Sequence, residues 1–385
     1  LYGAVNPVSG GRTVSLRPAA PIRRCWAALL LALLLAACLG PRPGSQGGAP
    51  LAAPDAQFDR LFQAPRGAGW TGGDGTLSVD LGGGRSLWLF GDSFLGGVTP
   101  AGRRRPDSDF VHNCLVLQQD AHLTTLVTAS AGRPRAFFRP EAPEAWYWPG
   151  AGIRQGAKVY VLLHRFRREG EGIWGWRWTG TDLARLRLPD LRLETIRPAP
   201  AGHGVRYGAA LLALADGVYI YGVAPGGAGT RQLYLARAPT GRLEDPWQYA
   251  TARGWSTAPD DAAALLDGVD SQFGVVAGAD GLLLFTMDAR QPFDPHLVAY
   301  RAARPAGPWQ GPWPVYTAPE ADRAVAAYNA AAHPQFTVDG RLLVSYNLNH
   351  VFDPDALYDD AALYRPRFIR VDLQRLRERL AAPPP

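Results

Sequence analysis

Five times along this chain, two runs of strand-forming residues close on a glycine turn. The turn glycines are Gly83, Gly156, Gly217, Gly281 and Gly340, spaced 73, 61, 64 and 59 residues apart. Each repeat holds about four short apolar runs, and no long stretch has helical periodicity. A small sheet cannot bury both faces alone, so a period near 60 residues points to sheets stacked as blades around an axis. The spacing predicts an all-β chain, a five-bladed β-propeller with about 60 residues per blade. A β-sandwich is the rival, but it gives no reason for the period. The outer strands repeat too. Leu235–Ala238 followed by Asp245-Pro246-Trp247 matches Tyr300–Ala303 followed by Gly307-Pro308-Trp309, 62 residues on. Leu373–Leu380 reads as a short basic C-terminal helix.

The N-terminal part has a different character. Arg23-Arg24 precede an apolar run from Trp26 to Ala37 that is too short to span a bilayer. The run ends in Leu35-Ala36-Ala37-Cys38, which resembles a bacterial lipobox. Residues 1–37 are therefore expected to be a signal peptide, with Cys38 lipidated and the exported protein anchored at the cell envelope, on the outer side of the plasma membrane or in the periplasm. The chain opens on Leu1 and its only methionine is Met287, so 1–20 read as a mis-assigned gene start. Residues 38–57, rich in Gly, Pro and Ala, are expected to be a flexible tether, with the propeller occupying 58–385. Removing 1–37 takes away four arginines and no acidic residue, so the net charge falls from +6 to +2. No basic run is interleaved with aromatics, so no nucleic-acid partner is expected. Arg103-Arg104-Arg105 reads as a solvated loop. Cys114 is the only cysteine left in the folded part and is expected to be a buried small hydrophobe. There is no disulfide framework and no metal-spaced Cys/His set. No cofactor or metal is expected, and no run of ligands supports a structural calcium in the channel. A monomer is expected.

Strand polarity gathers the chemistry. In a propeller, the starts of the inner strands and the ends of the second strands share one face. Folding the first hairpin about Gly83 sets Asp74 opposite Asp92. The same register brings His112 and Asn113 to that face from blade one, and Trp146 and Trp148 from blade two. Blade three offers Arg206 and Tyr207, blade four Asp270, Gln272 and Asp288, and blade five His333 and Asn347. The opposite face carries bland glycine turns. Indoles that stack on a sugar ring, amides that bind hydroxyls and paired carboxylates suit a polysaccharide or oligosaccharide. Asp74 and Asp92 are the candidate acid and base, with Asp288 or Asp270 as a third carboxylate. Each also has a structural reading: Asp74 as a turn cap, Asp92 as an Asx turn, the histidines and indoles as packing groups.

Gly-Gly-Asp-Gly-Thr at 72–76 and Leu-Trp-Leu-Phe-Gly-Asp-Ser at 87–93 resemble the opening blade of the five-bladed propeller glycosidases and their uncharacterised relatives. The Pro-Trp outer strands resemble the same group. The likeness covers roughly 66–373 as architecture and 69–93 as a specific motif. It implies kinship with a family of domains of unknown function, some of whose members are similar to endo-D-arabinanases. There the first-blade aspartates are the expected acid and base, and that role carries over to Asp74 and Asp92 alone. The larger furanosidase clan also has an Asp in blade two and a Glu in blade three. Here Trp148-Pro149-Gly150 and Arg206-Tyr207-Gly208 stand at those places. The expected function is an exported, lipid-anchored glycoside hydrolase acting on a furanose-containing, arabinan-like polysaccharide. The alternatives are a non-catalytic glycan-binding propeller and a scaffold for protein partners.

Overall fold

The computed structural model describes residues 50–381 apart from 66, 173, 174 and 203. The expected signal peptide, Cys38 and most of the tether lie outside the described residues. Among the described residues there are seven antiparallel sheets, and five of them, following one another along the chain, each contain one of the glycine hairpins. Sheet I holds Leu77–Gly82, Arg85–Phe90, Cys114–Gln119 and His122–Leu126. Sheet II holds Ala145–Gln155, Lys158–Arg168, Trp176–Arg187 and Arg192–Pro198. Sheet III begins with Arg206–Leu214, Gly217–Pro225 and Arg231–Ala238 and ends in two short strands. Sheet IV holds Gly274–Gly278, Gly281–Met287, His296–Ala302 and Gln310–Thr317. Sheet V holds Val325–Val338, Arg341–His350 and Arg367–Asp372, and its fourth strand is Ala52–Pro54 from the other end of the chain.

Side chains alternate across each sheet, and both faces are covered. Leu283 and Phe285 pack toward sheet V, whereas their neighbours Leu282 and Leu284 pack toward sheet III. This explains why the strands read as almost unbroken apolar runs. Apolar clusters fill the spaces between sheets I and II, II and III, III and IV, and IV and V. A fifth cluster joins sheet V back to sheet I. In it Phe58 and Phe62 pack with Trp88, Phe90, Leu343 and Phe368. Cys114 is fully enclosed in that cluster, as its apolar surroundings suggested. Leu373–Leu380 is the expected C-terminal helix, capped by Asp372.

Three features depart from the sequence reading. Residues 52–57 belong to the fold and not to the tether. Ala52–Pro54 pairs with Ile369–Val371, and Asp55 caps the helix Ala56–Gln63 by accepting from the Gln57 and Phe58 N–H groups. The first strand of sheet V, Val325–Val338, runs to 14 residues and is not one of the short runs read from the repeat. Its alanine-rich half, Ala326-Ala327-Tyr328-Asn329-Ala330-Ala331-Ala332, has weak intrinsic strand preference and forms a strand through packing. Arg104 is not a solvated loop residue but is 3% exposed. Its guanidinium lies 4.0 Å from the centre of the Phe94 ring and donates to Thr71 Oγ1 at 2.8 Å.

Candidate active site

The hairpin register about Gly83 is the expected one: Leu77 pairs with Leu89 and Ser78 with Trp88. The ladder does not end there. Beyond a break it resumes with Gly73 opposite Ser93 and Gly72 opposite Phe94. Asp74 and Asp92 occupy the break. Gly75 (φ +92°) and Thr76 (φ +40°) take the left-handed conformation, which turns the chain between the two paired segments. The two residues remain joined by backbone: Asp74 N–H donates to Asp92 O at 3.3 Å, and Gly91 N–H to Asp74 O at 2.8 Å.

The surroundings of the two carboxyl groups differ. Asp74 Oδ2 accepts from the Tyr328 hydroxyl at 3.0 Å. Tyr364 also hydrogen-bonds to Asp74, and Asn349 to Tyr328. Burial and the neighbouring Asp92 charge push the Asp74 pKa up to about 7, against the opposing pull of the two phenols. Asp92 Oδ1 accepts from Trp148 Nε1–H at 2.7 Å and lies 2.8 Å from His112 Nδ1. Its side chain is 22% exposed and that of His112 41%, so solvent reaches the pair. One carboxyl group thus keeps its proton near neutrality beside another that is supported by N–H donors.

Other expected site residues have structural roles. Asn113 is fully enclosed. Its Nδ2 donates to Phe138 O and Tyr147 O, and its Oδ1 accepts from Phe138 N–H. His333 is also fully enclosed, between Ser78 Oγ at 2.7 Å and Ser345 Oγ at 2.9 Å. Burial depresses its pKa to about 3 and keeps it neutral. Asn347 is 1% exposed and donates to Thr76 Oγ1 at 2.8 Å, bracing the turn beside Asp74. Tyr207 is core, edge-on to Trp247 with ring centres 5.8 Å apart. Gln272 donates to Gly75 O and Asn329 O, again supporting the turn. The expectation that these five side chains meet a sugar therefore gives way: each is closed off by protein. The faces of Trp146 are occupied by His112 at 4.7 Å and Phe166 at 6.3 Å, both nearly parallel to it. Trp148 is only partly buried and acts on Asp92 through its N–H.

The two further carboxylates are held elsewhere. Asp288 makes a two-point ion pair with Arg290, at 2.8 and 2.6 Å. Burial raises its pKa, but the bonds from Arg290 outweigh this and leave it lowered. Asp270 accepts from the N–H groups of Ser271 at 2.6 Å and Asn329 at 2.9 Å. Among the described residues, no cluster of three or more His, Cys, Asp or Glu side chains could hold a metal ion.

A family model described as a domain of unknown function (DUF5005) matches residues 55–373. The chain belongs to the DUF5005 family. No curated protein gives a significant match. A crystal structure of a candidate hydrolase from Bacteroides ovatus ATCC 8483 is similar in fold, with TM-score 0.72 and 22% identity. That likeness covers 85% of this chain and 92% of that one. An exo-β-1,3-galactanase from Phanerochaete chrysosporium gives TM-score 0.46 at 10% identity, over 79% of this chain and 63% of that one. An α-L-arabinofuranosidase from Podospora anserina gives 0.43 at 10%, over 83% and 94%. These two scores carry no weight for the chemistry.

In this DUF5005 domain, the residues that tune Asp74 were not visible as candidates in the sequence. Tyr328 lies in the alanine-rich strand just before a register shift, with Asn329 at φ +54°. Tyr364 ends a short helical turn, Ala361–Tyr364, far from any hairpin repeat. A phenol in an apolar run reads as core, and only the tertiary structure brings these two hydroxyls to one carboxylate.

Proposed function

We propose that this chain is a five-bladed β-propeller that hydrolyses glycosidic bonds in a furanose-containing, arabinan-like polysaccharide, with Asp74 as general acid and Asp92 as its partner carboxylate. The observation that carries the reading is the unequal environment of the two carboxyl groups. Glycosidic cleavage needs one carboxyl that still holds a proton near neutral pH to protonate the leaving oxygen. It needs a second that is ionised, as base or nucleophile. Asp74, pushed to about 7, suits the first task. Asp92, which accepts from Trp148 Nε1–H, lies beside His112 and is open to solvent, suits the partner role. Support for the ring comes from the five inter-sheet clusters, the last joining sheet V to sheet I. Asp92 would lose its orientation without Trp148 and His112, which makes both positioning residues.

The test is release of reducing ends from arabinan and related polymers by wild type, Asp74→Asn and Asp92→Asn. Each variant is expected to lose roughly 10²–10⁴-fold in turnover, the range for a lost acid–base group. Equal turnover by all three proteins would remove the pair from the chemistry. We further propose that the protein is exported and anchored through a lipid on Cys38, as a monomer. Cys38→Ala would then lose both incorporation of labelled palmitate and recovery in the membrane fraction. A second reading, a non-catalytic glycan receptor, draws on the ties of Asp270 and Asp288 to arginines. These leave the three-carboxylate set of the furanosidase clan without a counterpart. Glycan-array binding without turnover would select it.

A further inference from the structure

A second set of charges lies one residue along from the carboxylate pair. Tyr328 hydrogen-bonds to Asp74, and the N–H of the next residue, Asn329, donates to Asp270 Oδ2 at 2.9 Å. Asp270 Oδ1 accepts from Ser271 N–H and faces Arg231 Nη1 at 3.5 Å, long for a strong ion pair. Arg206 opens sheet III opposite Val223, at the strand end that carries this cluster. Its Nε is enclosed and has no hydrogen-bond partner, and among the described residues its guanidinium makes no hydrogen bond to protein. Burial and the charge of Arg231 pull the Arg206 pKa down to about 10, and Asp270 opposes them. His164, the nearby imidazole, is held neutral by burial and by Arg206.

Arg231 thus faces Asp270 across a long gap, Arg206 lies within reach of both charges, and backbone N–H groups already engage that carboxylate. Arg206 and Arg231 set two positive charges against this one carboxylate, and the Arg206 Nε–H is enclosed without an acceptor. Sugar hydroxyls could accept hydrogen bonds there but could not supply the missing charge. An oxyanion supplies both, because the guanidinium fork matches carboxylate and phosphate oxygens two at a time.

We propose that Arg206, backed by Arg231, is a subsite for an oxyanion carried by the glycan, so that the substrate is an acidic polysaccharide. This rests on the reading that a glycan docks beside Asp74 and Asp92. The oxyanion is a uronic acid carboxylate or a phosphate ester, and the test separates the two.

Binding is measured by titration calorimetry in the Asp74→Asn protein. The probes are a neutral arabino-oligosaccharide, an oligosaccharide bearing glucuronate and a phosphorylated manno-oligosaccharide. At least one acidic probe should bind roughly ten-fold or more tightly than the neutral one, the value of one charge-assisted contact. The acidic probe with the wider gap names the oxyanion. Arg206→Gln should abolish the gap, Arg206→Lys should keep part of it, and added salt should narrow it. If Arg206→Gln fails to fold, Arg231→Gln must narrow the gap instead. Equal binding of neutral and acidic probes, or a gap that survives Arg206→Gln, overturns the proposal. Acidic-probe binding that needs Arg206, in a protein with no turnover on any polymer, would instead end the hydrolase reading and leave this subsite standing.

Discussion

Asp74 combines a buried carboxyl group, an acidic neighbour and two phenol donors, and each leaves a measurable mark. Activity that needs the protonated form should fall as pH rises through about 7. Tyr328 stabilises the ionised form through its hydrogen bond, so Tyr328→Phe should move the alkaline limb of kcat/KM to higher pH. A merely structural tyrosine would leave that limb in place. The same group enters the stability of the fold. Its folded pKa exceeds its unfolded one, so its favourable contribution is complete below about pH 3.8 and is lost as pH rises through about 7. Asp74→Asn removes the penalty. At pH 8 its Tm should exceed that of wild type by a few degrees. At pH 4 the gain should be smaller, and equal shifts at the two pH values would contradict the assignment. The sequence exposed this pair because aspartate between glycines is conspicuous. It misled at Asn113, His333 and Asn347, where polar type suggested ligand contact but full burial with protein partners is the fact. Polarity in a sequence does not show whether a hydrogen-bond partner comes from water, ligand or backbone.

At the level of elements, the first hairpin governs the site. Its register follows from the three-glycine turn, which is why Asp74 and Asp92 could be paired from their numbers alone. The continuation past them was not legible, because Gly72-Gly73 carries no strand propensity and pairs only through the opposite Ser93–Leu95 segment. Gly91 fixes how closely the two halves approach. A Cβ there would lie 2.8 Å from Asp74 Oδ1 and 3.6 Å from Trp148 Cδ1. The carboxylate is the end of a side chain and can yield, so Gly91→Ala should fold and yet displace the acid. Turnover is expected to drop roughly 10²-fold, the cost of a misplacement near 1 Å. A thermal melt close to wild type, run beside the assay, separates displacement from unfolding. The helix Ala56–Gln63 was missed because its first residues fall in the Gly, Pro and Ala-rich stretch read as tether. Its Asp55 cap and the buried pair Phe58 and Phe62 become meaningful only against sheets V and I.

For the molecule as a whole, the join between the chain ends is the point most open to test. Asp55 caps the first helix and pairs with Arg370 at 2.5 Å, and the adjoining residues 52–54 form the outer strand of sheet V. Asp55→Ala should cost roughly 2–4 kcal/mol, a lost cap plus a part-buried arginine that loses its carboxylate and keeps its bond to Phe336 O. Urea unfolding would read this as a lower midpoint at unchanged slope. A cost within 0.5 kcal/mol would mean that the join contributes little. The 60-residue period made the five sheets readable, whereas the origin of the fifth sheet's last strand was not, since no periodicity links residue 52 to residue 371.

The contact between Asp55 and Arg370 spans 315 positions of sequence. A ribosome delivers Asp55 315 residues before Arg370, so the nascent chain cannot make this contact until both have emerged. Such late closure would leave sheet V without its outer strand, and the first helix without its anchor, until both segments are available to meet.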